Sequence, residues 1–173
     1  RSCLVGSEMC IRDSSILIFG KEKTVHLRPH SKRDYILETK NNIFLGFKTS
    51  RANNKTIEDK LRHWLWERAK KYLPLRVKQL NQGKFDIKKV NVKDQKSLWG
   101  SCTAERHLNL NWRLIMAPKF ASDYIIYHEL CHTRHMDHSK KYWNLVESVC
   151  PNYNKAENWF KKFGFVLNVN LYE

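Results

Sequence analysis

The segment His128-Glu129-Leu130-Cys131-His132, followed closely by His135, Asp137 and His138, constrains this chain more than any other stretch. On a helix, residues i and i+4 stand one turn apart on the same face. His128 and His132 can therefore present two imidazoles to one point, and two such rings suit a borderline metal such as zinc. Glu129 follows the first ring and can face a metal-bound water without ligating, where a carboxylate can take that water's proton. A catalytic zinc also needs a third protein ligand and one open position. His135, Asp137 and His138 are the candidates. On a straight helix His135 would lie ~10.5 Å along the axis from His128, too far for one ion. The chain must turn back, and His138, after an expected break near Met136-Asp137, is preferred. The competing reading is an exposed helix whose histidines bind nothing.

The elements around this segment follow from pattern. Ile16 to Phe47 holds four short β-rich runs divided by Lys, Gly, Pro and Asn, which reads as an antiparallel β-meander. Asn41-Asn42 is expected to supply a tight turn with positive φ. Thr56 is the expected cap of a helix, with Asp59 as a weak capping-box partner. Its stripe is Ile57, Leu61, Trp64, Leu65, Ala69 and Tyr72, with Trp66 off it. Pro74 should break or restart that helix, and Gly83 should end the segment that follows. Residues 85–92 alternate as a strand. Gly100 and residues 103–107 suggest a turn between two further strands. In the second of these Leu108, Leu110, Trp112 and Leu114 face one way, and Asn109, Asn111 and Arg113 the other. Pro118 then opens a helix from about Phe120 to His132. A helix capped by Ser139 or Asp137 follows and stops at Pro151. A last helix ends at Gly164, and residues 165–171 read as a final strand. The fold class is α+β, with the meander, helices, a short sheet and the H-E-x-x-H helix in that order.

Charge and cysteines narrow the partners. The chain carries a net charge of +15, and residues 51–100 hold 14 basic against five acidic side chains, a local +9. That excess suits a polyanion such as nucleic acid, a nucleotide or an acidic protein tail, or else a solvated basic surface. The five cysteines are odd in number and lack a C-x-x-C spacing. This points to a reducing, cytoplasmic setting without a disulfide framework. Cys102 and Cys131 read as buried thiols rather than nucleophiles. Tyr124, Tyr127 and Tyr142 read as packing residues with wet hydroxyls. No apolar run approaches the ~20 residues of a membrane helix. Residues 1–14 show no periodicity and resemble translated sequencing-adapter sequence. They are expected to be foreign or disordered, leaving 15–173 as one domain.

The stretch from Leu98 to Val146 resembles the YgjP-like metallopeptidase domain family. It carries Trp99-Gly100-Ser101-Cys102, the Leu108-Asn109 strand, Asp123-Tyr124 ahead of His128-Glu129, and His138-Ser139 with Tyr142-Trp143. Asp137 stands where Asn is common and Tyr142 where Phe is common. The resemblance implies a zincin-like fold, one zinc ion on His128, His132 and His138, and Glu129 as general base. The expected function is a zinc-dependent hydrolase cleaving peptide bonds in a peptide or protein substrate through a Glu-activated, zinc-bound water. In zincin architecture an edge strand pairs with the substrate, and Asn111 or Arg113 could stabilise an oxyanion. Two other classes compete: a metal-dependent nucleotide phosphohydrolase, and a nucleic-acid-associated module with a structural metal.

Overall fold

The structure, a computed structural model, describes residues 15–48 and 53–167. The foreign or disordered reading of 1–14 falls outside them. The described residues form two compact units. One comprises 15–16, 22–48 and 53–60; the other comprises 17–21 and 61–167. Small sheets and helices give a mixed α+β protein. No helix among the described residues is long and apolar enough to cross a membrane.

The first sheet holds β1 (Ser15–Ile18), β2 (Lys21–Arg28), β3 (Tyr35–Glu38) and β4 (Asn42–Gly46) in the order β1-β2-β4-β3. It is not the antiparallel meander expected. β4 pairs with β3 antiparallel but inserts beside β2 in parallel register, Val25 opposite Ile43 and Leu27 opposite Leu45. Val25, Ile43 and Leu45 are fully buried, so central strand β4 gains apolar partners that a sequential meander would deny it. The β3–β4 turn closes without positive φ at Asn41 or Asn42. Instead Thr39 N–H donates to the Asn42 carbonyl at 2.8 Å. Positive φ falls at Phe19 (51°) and Gly20 (73°), between β1 and β2, as a primed two-residue hairpin requires. The Phe19 and Gly20 N–H groups donate to the Ile115 and Met116 carbonyls, both at 2.9 Å. A Cβ on Gly20 would meet Pro118 at 2.6 Å. This turn therefore fixes the backbone that leads into the histidine-bearing helix.

Helix α1 (Asn54–Asn81) is longer than expected. Asn53 caps it: its Oδ1 accepts the Thr56 N–H at 2.9 Å. Thr56 is inside the first turn, not the cap. Pro74 lies within the helix without ending it. The buried stripe is Ile57, Leu61, Leu65, Ala69, Leu73 and Val77, and this packing outweighs the hydrogen bond that proline removes. Trp64 and Tyr72 sit at its half-exposed margin. The chain leaves through Gln82 and Gly83, both at positive φ.

The second sheet has β5 (Lys89–Lys93), β6 (Gly100–Cys102) and β7 (His107–Asn111) in the order β5-β7-β6. β5 runs parallel to β7, and β6 antiparallel to it. The expected polar face of β7 is not a surface, since Asn109 and Asn111 are buried. Asn111 Nδ2 donates to the Gln95 and Leu98 carbonyls at 2.8 and 2.9 Å, and its Oδ1 accepts the Arg113 N–H. A 3-10 turn, Trp112–Ile115, replaces the rest of the expected strand.

Helix α2 (Lys119–His132) then crosses this unit, followed by α3 (Lys140–Val149) and α4 (Tyr153–Phe163). Arg76 on α1 grips Asp123 on α2 through two hydrogen bonds, at 2.8 and 2.6 Å, a fork geometry that fixes orientation as well as distance. Residues 164–167 form a 3-10 turn rather than the start of a strand, and 168–171 lie outside the described residues.

Candidate metal centre

Helix α2 carries His128 and His132 one turn apart, as their spacing dictates. Its last turn closes when Thr133 donates its hydroxyl to the Leu130 carbonyl at 2.7 Å. The chain then reverses. Ser139 N–H donates to Asp137 Oδ1 at 3.3 Å, and α3 starts at Lys140, so His138 faces back toward α2. Its Nε2 lies 3.3 Å from His128 Nε2, and His132 Nε2 also lies 3.3 Å from His128 Nε2. One ligand atom from each of the three rings falls within 4.8 Å of the others.

Hydrogen bonds decide which nitrogens face inward. His132 Nδ1 is 2.9 Å from the His135 carbonyl. A carbonyl only accepts, so Nδ1 carries the proton and Nε2 keeps its lone pair. Tyr124 donates its hydroxyl to Glu157 Oε1 at 2.9 Å, leaving its oxygen to accept from His128 Nδ1 at 3.4 Å. His128 Nε2 is then also a bare lone pair. Two lone pairs facing each other at 3.3 Å repel unless a cation lies between them. Tetrahedral zinc at its usual Zn–N distance separates ligand nitrogens by ~3.4 Å, so the observed spacing fits a single ion. His135, the alternative third ligand, contributes its carbonyl to orient His132, and Asp137 is occupied with Ser139.

Packing holds these rings. The Tyr142 ring stacks on His132 with centroids 4.5 Å apart, and its hydroxyl donates to the His128 carbonyl at 3.2 Å. Trp143 lies against His138, and Tyr153 stacks on Trp143. Burial, and then the neighbouring His132 and His138, drive the His128 pKa down to about 4. Burial also lowers that of His132. Both rings are neutral at physiological pH, the form in which imidazole binds metal.

Glu129 lies outside the three-histidine cluster and is only 5 % exposed. Burial pushes its carboxyl up to about 8. It rests against β6: a Cβ on Gly100 would come within 2.7 Å of Glu129 Oε1. By its sequence context Gly100 marks only a turn. Its larger role is to leave room for the carboxylate. Glu157 carried no local signal, because its link to His128 runs through a contact between α4 and α2. Tyr124 was visible as the residue four before His128, but its hydroxyl is bonded rather than wet. Cys131 is fully buried and Cys102 half-buried. Burial pushes their thiols up to about 12 and about 11, which disfavours the reactive thiolate. Asn111 is committed to backbone groups, and Arg113 pairs with Asp94 through one guanidinium nitrogen.

A profile of the YgjP-like, metallopeptidase domain matches residues 7–163. The chain belongs to the YgjP-like metallopeptidase domain family. Membership implies a metal and a hydrolase's chemistry. A solved structure described as the metallopeptidase zymogen of Pyrococcus abyssi abylysin is 21% identical, with a TM-score of 0.43 over 59% of this chain and 94% of its own. A comparison with curated proteins found no match.

Proposed function

We propose that this YgjP-like chain is a zincin-like, zinc-dependent peptidase in which His128, His132 and His138 hold the ion and Glu129 is the general base. The observation that carries this reading is the convergence of three Nε2 atoms, two of them stripped of protons by their own hydrogen bonds. A divalent ion held there would supply positive charge that polarises a peptide carbonyl, acidifies water and favours the ionised form of Glu129. Glu129 takes the proton from the attacking water. It then delivers that proton to the leaving amine as the C–N bond breaks, so the proton count closes. Its burial against Gly100 keeps bulk water from competing for that proton. Tyr142 and the Tyr124–Glu157 pair hold the imidazoles in register through the cycle.

Substituting Glu129→Gln tests the assignment. The variant should retain one ion per chain by elemental analysis and lose at least ~100-fold in peptide cleavage. Full activity in the Gln variant defeats the role. A parallel panel of nucleoside triphosphates separates peptide from phosphoanhydride hydrolysis.

A further inference from the structure

A cleft lies apart from the three histidines, in the same compact unit. It is open to solvent and has a volume of about 760 Å³. Lys78, Lys84, Lys88, Lys89, Arg106 and Arg134 line it, and Asp86 is the one acidic lining residue. Asp86 is engaged by Arg106 and by Lys88 at 3.7 Å. Lys78, Lys84 and Lys89 make no ion pair among the described residues. The cavity therefore concentrates positive potential that the protein itself does not neutralise.

Its wall is built rather than loose. Asn81 clamps the loop by donating Nδ2 to the Phe85 carbonyl at 2.9 Å and accepting the Phe85 N–H at 2.8 Å. Arg134 donates to the Lys84 carbonyl at 2.6 Å and lies 4.9 Å over the Phe85 ring. Thr133 and Arg134 directly follow His132, so this wall is continuous in sequence with the second candidate metal ligand. Lys89 and Val90, also lining the cavity, belong to β5, an edge strand paired only with β7 among the described residues.

From these features we infer that the cavity is a docking subsite for an acidic, extended segment of the polypeptide substrate. The inference rests on the peptidase reading above. An extended peptide can continue the free edge of β5 through its backbone and set alternate carboxylates on the lysines. A nucleic acid has no strand to add. Its bases would also lack a stacking face, because Phe85 is the aromatic lining residue and is 4 % exposed under Arg134. Charge complementarity on the lysines then selects acidic segments.

The test uses the whole 173-residue, metal-loaded chain and fluorescence anisotropy. The probes are a labelled peptide alternating Glu with Val, its Gln counterpart, and a duplex oligonucleotide. Binding is read in the Glu129→Gln background, so that turnover cannot intervene. The Glu peptide should bind roughly tenfold tighter than the Gln peptide at low salt, with the preference shrinking as salt rises. The exposed pair Lys84→Glu/Lys89→Glu should erase the preference without lowering the melting temperature. Reversal at Lys161 and Lys162 on α4 should leave it intact. Equal affinities, a preference that survives the Lys84/Lys89 reversal, or lysine-dependent capture of the duplex but not the Glu peptide would each overturn the subsite. Cleavage of both peptides by the parent chain separates the two ideas. Equal cleavage and equal binding sink the subsite and leave the peptidase standing. Selective binding with no cleavage of either peptide by the parent overturns the substrate role while leaving the cleft's preference for acidic peptides intact.

Discussion

At the scale of single residues, the site depends on where protons sit. Glu129 has an ordinary value of 4.5 and is held at about 8 by burial. In metal-free protein the folded state binds the extra proton between those values. The stability it contributes is complete below about 4.5 and is lost as pH rises through about 8. His128 runs the other way: from 6.5 it is lowered to about 4, so its contribution stands above 6.5 and is lost as pH falls toward 4. Between pH 6.5 and 8 the Glu129 contribution governs. Chelator-treated protein should therefore gain about 2 kcal/mol on going from pH 8 to 6.5. Denaturant titrations of Glu129→Gln should show this slope flattened, and an unchanged slope would place the titrating group elsewhere. Glu157 acts through Tyr124. Replacing it with Gln should weaken metal affinity about tenfold in a chelator competition, as loss of a group that orients a ligand does. Unaltered affinity would make that chain of hydrogen bonds incidental.

Among the elements, β6 and β7 prepare the ground for α2. Gly100→Ala would force a methyl group toward Glu129 Oε1. It should cost about 1–3 kcal/mol, the usual penalty for overpacking, and lower turnover while the histidines keep their ion. Asn111→Ala would strand the Gln95 and Leu98 carbonyls and the Arg113 N–H. The expected loss is about 3 kcal/mol, read as a shifted denaturation midpoint at constant slope. Legibility at this scale followed the range of the interactions. The helix bearing His128 and His132, the reversal before His138 and the stop at Pro151 are local and could be read from spacing. The parallel insertion of β4 beside β2, the burial of Asn109 and Asn111, and the passage of α1 through Pro74 are decided by partners distant in sequence, which periodicity does not encode. The polar face of β7 misled for that reason. Alternation distinguishes two faces, and it does not say that the polar one is wet.

For the molecule as a whole, the basic excess of residues 51–100 and the histidine segment looked like separate facts in the sequence. The fold brings part of that charge, from Lys78, Lys84, Lys88 and Lys89, to a cavity whose wall continues from His132 through Thr133 and Arg134. The sequence reading of a polyanion partner and that of a peptide substrate thus meet in one proposal, an acidic polypeptide. Both proposals require that three imidazoles of this chain share one ion. Anomalous diffraction from crystals of the purified chain, recorded at the zinc absorption edge, tests it most directly. One peak per chain is expected, about 2 Å from the Nε2 atoms of His128, His132 and His138, and its loss in His138→Ala. A zinc-loaded crystal with its anomalous peak elsewhere, or with no peak between these rings, would contradict it.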